Sequence, residues 1–153
     1  MRTGPDRGAL LVVALGLAAL AVSAYLTLAH YGSVGLACQQ GSLVDCEAVT
    51  TSTYSLVPGT QLPITVPGMA WSLLVVALGL ALARGAGRAA ELILLVGAAV
   101  AMLGVLYLVR AEIVVIGRIC LWCTIFHALI LATLLVALLR IQRESPDQPH
   151  GVA

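Results

Sequence analysis

Cys120-Leu-Trp-Cys123 opens a hydrophobic segment, and a second cysteine pair, Cys38 and Cys46, lies far upstream. A thiolate attacks a disulfide through a mixed intermediate, so two pairs brought together can hand electrons from one to the other. At the N-terminal end of a helix, Cys120 meets the positive end of the helix dipole, which lowers a thiol below its free pKa of about 8.5. Positions 120, 123 and 127 form one helical stripe, so His127 shares a face with both thiols and can donate a hydrogen bond or proton to a ligand being reduced. The bland alternative is a packing histidine bonded to a neighbouring carbonyl; an ionisable residue within a membrane span favours the functional one. Four cysteines also raise structural zinc, or two static disulfides. Structural zinc commonly uses two close pairs, whereas Cys38 and Cys46 form a C-x7-C.

The elements that must position these thiols are membrane helices. Hydrophobic residues make up 61% of the 153 and charged residues 10%, with mean hydropathy at +1.05; about 25% charge is usual in a soluble domain. Net charge is only +1, from eight arginines and no lysine against seven acids, which excludes the basic field that nucleic acid binding requires. About 20 apolar residues cross the hydrocarbon core, and residues 9–30, 68–83, 90–109 and 119–139 qualify. The first segment resembles a signal peptide, with Arg2 and Arg7 ahead of it and Val22-Ser23-Ala24 as a small-residue site, but its apolar run is too long for one. Retention as a helix is expected. The fold class expected is all-α: an integral membrane four-helix bundle with a long outer loop containing a short helix. Residues 1–143 form the transmembrane domain and 144–153 a polar C-terminal tail.

Arginine placement orients the bundle. Arg2, Arg7, Arg84, Arg88, Arg140 and Arg143 all fall on one face, which the positive-inside rule makes cytoplasmic. The loop from Tyr31 to Pro67 and the turn at 110–118, with Arg110 and Arg118 partly balanced by Glu112, then face outward. All four cysteines go with them, on the side where disulfides persist. This describes a multi-pass protein of the cell's inner (plasma) membrane with both termini cytoplasmic. Asp45 can cap a short helix from about Cys46 to Tyr54, and Pro58-Gly59, Pro63 and Pro67-Gly68 read as turns back into the membrane. Gly16 with Ala19, Gly97 with Ala101, and Gly104 supply small surfaces for helix contact. The seven aromatics, Tyr25, Tyr31, Tyr54, Trp71, Tyr107, Trp122 and Phe126, all map to the outer half. An interfacial belt would occupy both faces, so a pocket for an aromatic, lipid-soluble ligand is the better reading.

The ordered combination of Cys38, Cys46, Ser52 six residues later, and Cys120-Leu-Trp-Cys123 opening the last of four spans resembles the vitamin K epoxide reductase family in its bacterial form. DsbB-type oxidases share the two-pair logic but carry the pairs in the reverse order. The resemblance implies a relay in which Cys38 meets a reduced partner, Cys46 exchanges with Cys120, and Cys123 faces a quinone, ubiquinone or menaquinone. It implies Ser52 near the quinone head group and His127 where members place a polar or aromatic ring; Trp71 and Trp122 are further candidates for the quinone site. Gly68-Met69-Ala70-Trp71 departs from the animal pattern, which has an asparagine on the quinone carbonyl. Many bacterial relatives carry a fused thioredoxin-like domain; here a separate thioredoxin-like, DsbA-type protein is the expected partner, with no metal. The competing class is a non-enzymatic thiol or metal-handling membrane protein.

Overall fold

The computed structural model describes residues 6–38 and 41–144, the last two of these by backbone alone. Arg2, the Arg143 side chain and the polar tail from 145 to 153 lie outside the described residues. Four long apolar helices form an all-α bundle: α1 Arg7–His30, α3 Thr65–Ala83, α4 Arg88–Arg110 and α5 Leu121–Glu144, with a short α2, Cys46–Thr50, in the loop after α1. Mean hydropathy of 2.0 to 2.7 and lengths of 19 residues or more qualify all four for membrane crossing. Outward leucines such as Leu17, Leu73 and Leu103, each more than half exposed, are the lipid-facing surface such a bundle requires.

Helices α1 and α3 run antiparallel and nearly touch. A Cβ on Gly16 would come within 2.8 Å of the Val76 side chain, and one on Gly79 within 2.8 Å of Val13. Without a hydrophobic drive between helices in lipid, such close approach is how they associate. The other glycines do different work. A Cβ on Gly97 would meet the Trp71 ring at 2.5 Å, so this position clears space for an indole, while Gly104 meets nothing within 4 Å and leaves a void.

One end of the bundle is closed by charge. Asp6 caps α1 by accepting from the Gly8 and Ala9 N–H groups, and Arg140 of α5 pairs with Asp6 at 2.8 Å and with buried Glu91 of α4 at 2.9 Å. Burial alone would raise the Asp6 carboxyl, but the Arg140 hydrogen bond and charge, with the two N–H donors, hold it below its ordinary value.

Three boundaries differ from the expectations. Helix α3 begins at Thr65, so Pro67 lies in its first turn rather than in a turn before it; the N–H that proline lacks has no intrahelical partner there. The short helix stops at Thr50 and resumes as a 3-10 turn, Thr53–Ser55. The stretch expected as a turn at 110–118 continues α4 as a π-helical turn, Ala111–Ile116, ended by Gly117 at φ 68°. That left-handed position favours glycine.

Candidate redox site

Cys46 is the first residue of α2 because Asp45 caps it, its Oδ1 accepting from Ala48 N–H at 3.0 Å. Cys38 and Cys46 are joined in a disulfide with Cα atoms 6.0 Å apart. Two aromatic side chains hold the strand of loop leading to Cys38. The Tyr25 hydroxyl donates to the Gly35 carbonyl at 3.1 Å and accepts from Ala37 N–H at 2.6 Å. The Trp122 indole donates to the Ala37 carbonyl at 2.7 Å, with its ring centroid 4.9 Å from that of Tyr25.

The second leg of the loop is zipped to the segment before α5. Asp45 N–H donates to the Ile119 carbonyl at 3.1 Å and Ile119 N–H to the Leu43 carbonyl at 2.9 Å. The Arg118 guanidinium adds bonds to the Gly41 and Ser42 carbonyls. These ties carry Cys46 to the head of α5. Cys46 and Cys120, both with no exposed surface, share one apolar cluster with Val49, and Cys38, Trp122 and Cys123 pack against it.

Cys120 and Cys123 are free thiols. Cys123 N–H donates to the Cys120 sulfur at 3.3 Å, so Cys120 stands at the N-terminus of α5 as a cap would. The Cys123 side chain beside it, helped by the Cys123 and Trp122 N–H groups, holds the Cys120 thiol below its ordinary value, against burial and the charge of Glu112. The direction is the one a nucleophilic thiol needs. Behind it, Glu112 of the π-helical turn accepts from Cys120 N–H at 3.3 Å.

Cys123 also lines a cavity of about 250 Å³ together with Ser52, Tyr54, Trp71, Phe126, His127 and Glu112. Glycines make its room: a Cβ on Gly68 would press on the Phe126 ring at 3.1 Å, and Gly104 is bare wall. Apolar walls with a few polar groups are the usual make-up of a small-molecule site. The Ser52 hydroxyl proton is engaged by the Val49 carbonyl at 2.7 Å, which leaves its lone pairs as acceptors. His127 makes no hydrogen bond to the described residues and borders the void. A second cavity, about 530 Å³, lies against the disulfide and is bordered by Cys38, Cys46, Glu47 and Thr51, with His30 and Thr50 common to both.

Of the residues expected at the ligand, Ser52, Trp71 and His127 come together on the cavity wall. Trp122 is not among its lining residues, because its indole N–H is committed to the loop at Ala37. Tyr54, Trp71 and Phe126 are the three of the seven aromatics that line it. Glu112 and His30 were not anticipated. An acid ahead of Cys120 in a stretch read as a polar turn carried no signal of burial; the apolar run Ile113–Ile116 directly after it was the available hint.

A family model described as the vitamin K epoxide reductase family matches residues 10–138. No curated protein matches the chain. The matched stretch takes in most of each of the four long helices and both cysteine pairs, and covers well over half of the sequence. The chain therefore belongs to the vitamin K epoxide reductase family, thiol-disulfide oxidoreductases of the membrane that work through cysteine pairs and generally use a quinone.

Proposed function

We propose that this protein reoxidises a thioredoxin-like, DsbA-type partner and passes the electrons to a quinone held in the 250 Å³ cavity, supporting disulfide formation outside the plasma membrane. One observation carries the reading: Cys46 and Cys120, neither with exposed surface, share a single apolar cluster, while of their partners Cys38 lines the cavity at the disulfide and Cys123 the cavity of about 250 Å³. Partner dithiol reduces Cys38–Cys46 by exchange, Cys46 then reduces the inner disulfide through Cys120, and the inner dithiol returns two electrons and two protons to the quinone, giving quinol.

The orientation belongs to the same proposal. Arg7, Arg84, Arg88 and Arg140 cluster at the bundle end opposite the cysteines, which makes that end cytoplasmic and turns the thiols outward. Ser52 and His127 sit where a quinone carbonyl becoming a hydroxyl would gain a hydrogen-bond partner. Trp71 supplies an aromatic wall, and Trp122 keeps the loop against α5.

Purified protein in liposomes, given a small dithiol and a short-chain quinone, should turn over quinone with one dithiol oxidised per quinol formed. Cys123→Ser should abolish turnover, because oxygen cannot replace sulfur in the disulfide. Full activity in that variant, or stoichiometric metal uptake with no turnover in the unmodified protein, would overturn the reading.

A further inference from the structure

Glu112 places a buried carboxyl where the two halves of the relay meet. The π-helical turn directs it inward, leaving it 5% exposed. Its Oε2 lies 3.3 Å from the Cys120 backbone N–H, and its side chain borders the cavity beside Cys123 and His127. Among the described residues no cation pairs with it. A buried carboxylate lacking a cation is expensive as an anion, and its charge opposes a thiolate on the adjacent Cys120. Two neighbouring acids in one dry site cannot both ionise freely; they compete for a proton.

We propose that Glu112 exchanges a proton with the inner dithiol and delivers it to the acceptor in the cavity. The inference rests on the quinone reading above. The Cys123 thiol adds to the quinone, forming an S–C bond and placing its proton on one quinone oxygen. Ionised Glu112 takes the Cys120 proton. The Cys120 thiolate attacks the Cys123 sulfur, the S–S bond forms, and the S–C bond breaks with its electron pair going to the ring. Protonated Glu112 then gives its proton to the second oxygen, completing the quinol and leaving the carboxylate ready for another cycle. Glu112 is thus the group that allows the thiolate to form without two adjacent anions and that returns the proton where negative charge develops.

Glu112→Gln keeps an oxygen that can accept the Cys120 N–H but cannot carry the proton, so it separates the chemical role from the structural one. In liposomes with a small dithiol and a short-chain quinone, Glu112→Gln should lower kcat at least about 100-fold with little change in the quinone KM, the size expected for loss of a proton-transfer group. Glu112→Asp should recover much of the rate. Thiol counting should show that Glu112→Gln still reduces its outer disulfide with the small dithiol, which localises the defect to the quinone half. A kcat within about threefold of the unmodified protein would overturn the proposal. If Glu112→Gln does not fold, Glu112→Ala is assayed with added acetate: a saturable rise in kcat supports proton transfer, and no rise overturns it. Absence of quinone turnover in the unmodified protein would instead refute the reading on which the inference rests.

Discussion

The two ends of the bundle are held by opposite means. At one end, α1, α4 and α5 are joined through a single guanidinium, with Arg140 bonded to Asp6 and to Glu91. At the other, α1, the loop and α5 are joined by backbone and aromatic hydrogen bonds, from Tyr25, Trp122 and the Leu43–Ile119 pairing, with the Arg118 guanidinium bonded to loop carbonyls and no ion pair among the described residues. The first arrangement fixes helices and leaves nothing to react. In the relay proposed above, the second must keep two sulfurs, Cys46 and Cys120, within reach of each other without freezing which of them is bonded to which. The division teaches that stability and chemistry are segregated along the membrane normal, and mutations should separate them.

The largest effect should come from breaking the redox end at its sulfurs. Cys46→Ala removes the sulfur packed with Cys120 and should stop electron entry from the partner. Cys38→Ala should block the partner yet spare quinone reduction driven by a small dithiol that reaches the inner pair. With both resolving thiols removed, in Cys38→Ala/Cys123→Ala, a mixed disulfide between Cys46 and Cys120 should accumulate and be visible by mass spectrometry. Equal loss of small-dithiol activity in Cys38→Ala and Cys123→Ala would mean that the assigned order is wrong.

Breaking the ionic end should do the reverse. Arg140→Ala takes away the guanidinium paired with Glu91, which is only 3% exposed, and removing one partner of a buried pair costs roughly 3–5 kcal/mol. Thermal stability should fall sharply, while quinone turnover of the protein that remains folded changes little. Replacing the ion pair with apolar side chains, Arg140→Met with Glu91→Met, should recover most of the loss. Loss of turnover out of proportion to loss of folded protein would show that the ends are coupled.

The contrast also explains what was legible in the sequence. The four spans could be read because apolar runs of membrane length have few other uses, and the arginines marked one end before any helix was placed. The sulfur order was carried by motif: Cys38, Cys46, Ser52 and the C-x-x-C stand in the family's sequence order, and Ser52, Trp71 and His127 meet at one cavity. The places where the sequence was less legible have a common physical cause. Trp122 looks like a ligand aromatic as one of the seven in the outer half, but side-chain direction depends on which helix face meets the loop, and its indole bonds Ala37. Glu112 looked like a turn residue because a charge after an apolar run usually marks a helix end. Only the π-helical extension of α4 carries it inward. Ion pairs spanning Asp6, Glu91 and Arg140 are far apart in sequence and follow from packing alone.

The smallest effect should be at the cavity wall, where the proposed quinone would sit. Ser52 spends its proton on the Val49 carbonyl, so toward a quinone it acts as an acceptor for the hydroxyl that forms, or rotates to donate to the carbonyl that is consumed. Either way one neutral hydrogen bond is at stake, worth about 0.5–1.5 kcal/mol. Ser52→Ala should therefore slow quinone reduction several-fold without abolishing it, and thermal stability should shift by a comparable small amount because the Val49 carbonyl loses a donor. The bond strengthens as the carbonyl gains hydroxyl character, so the loss should fall mainly on kcat, with the quinone KM moving less. Steady-state kinetics across a quinone titration checks this. Unchanged kinetics in Ser52→Ala combined with His127→Ala would place the head group elsewhere in the cavity.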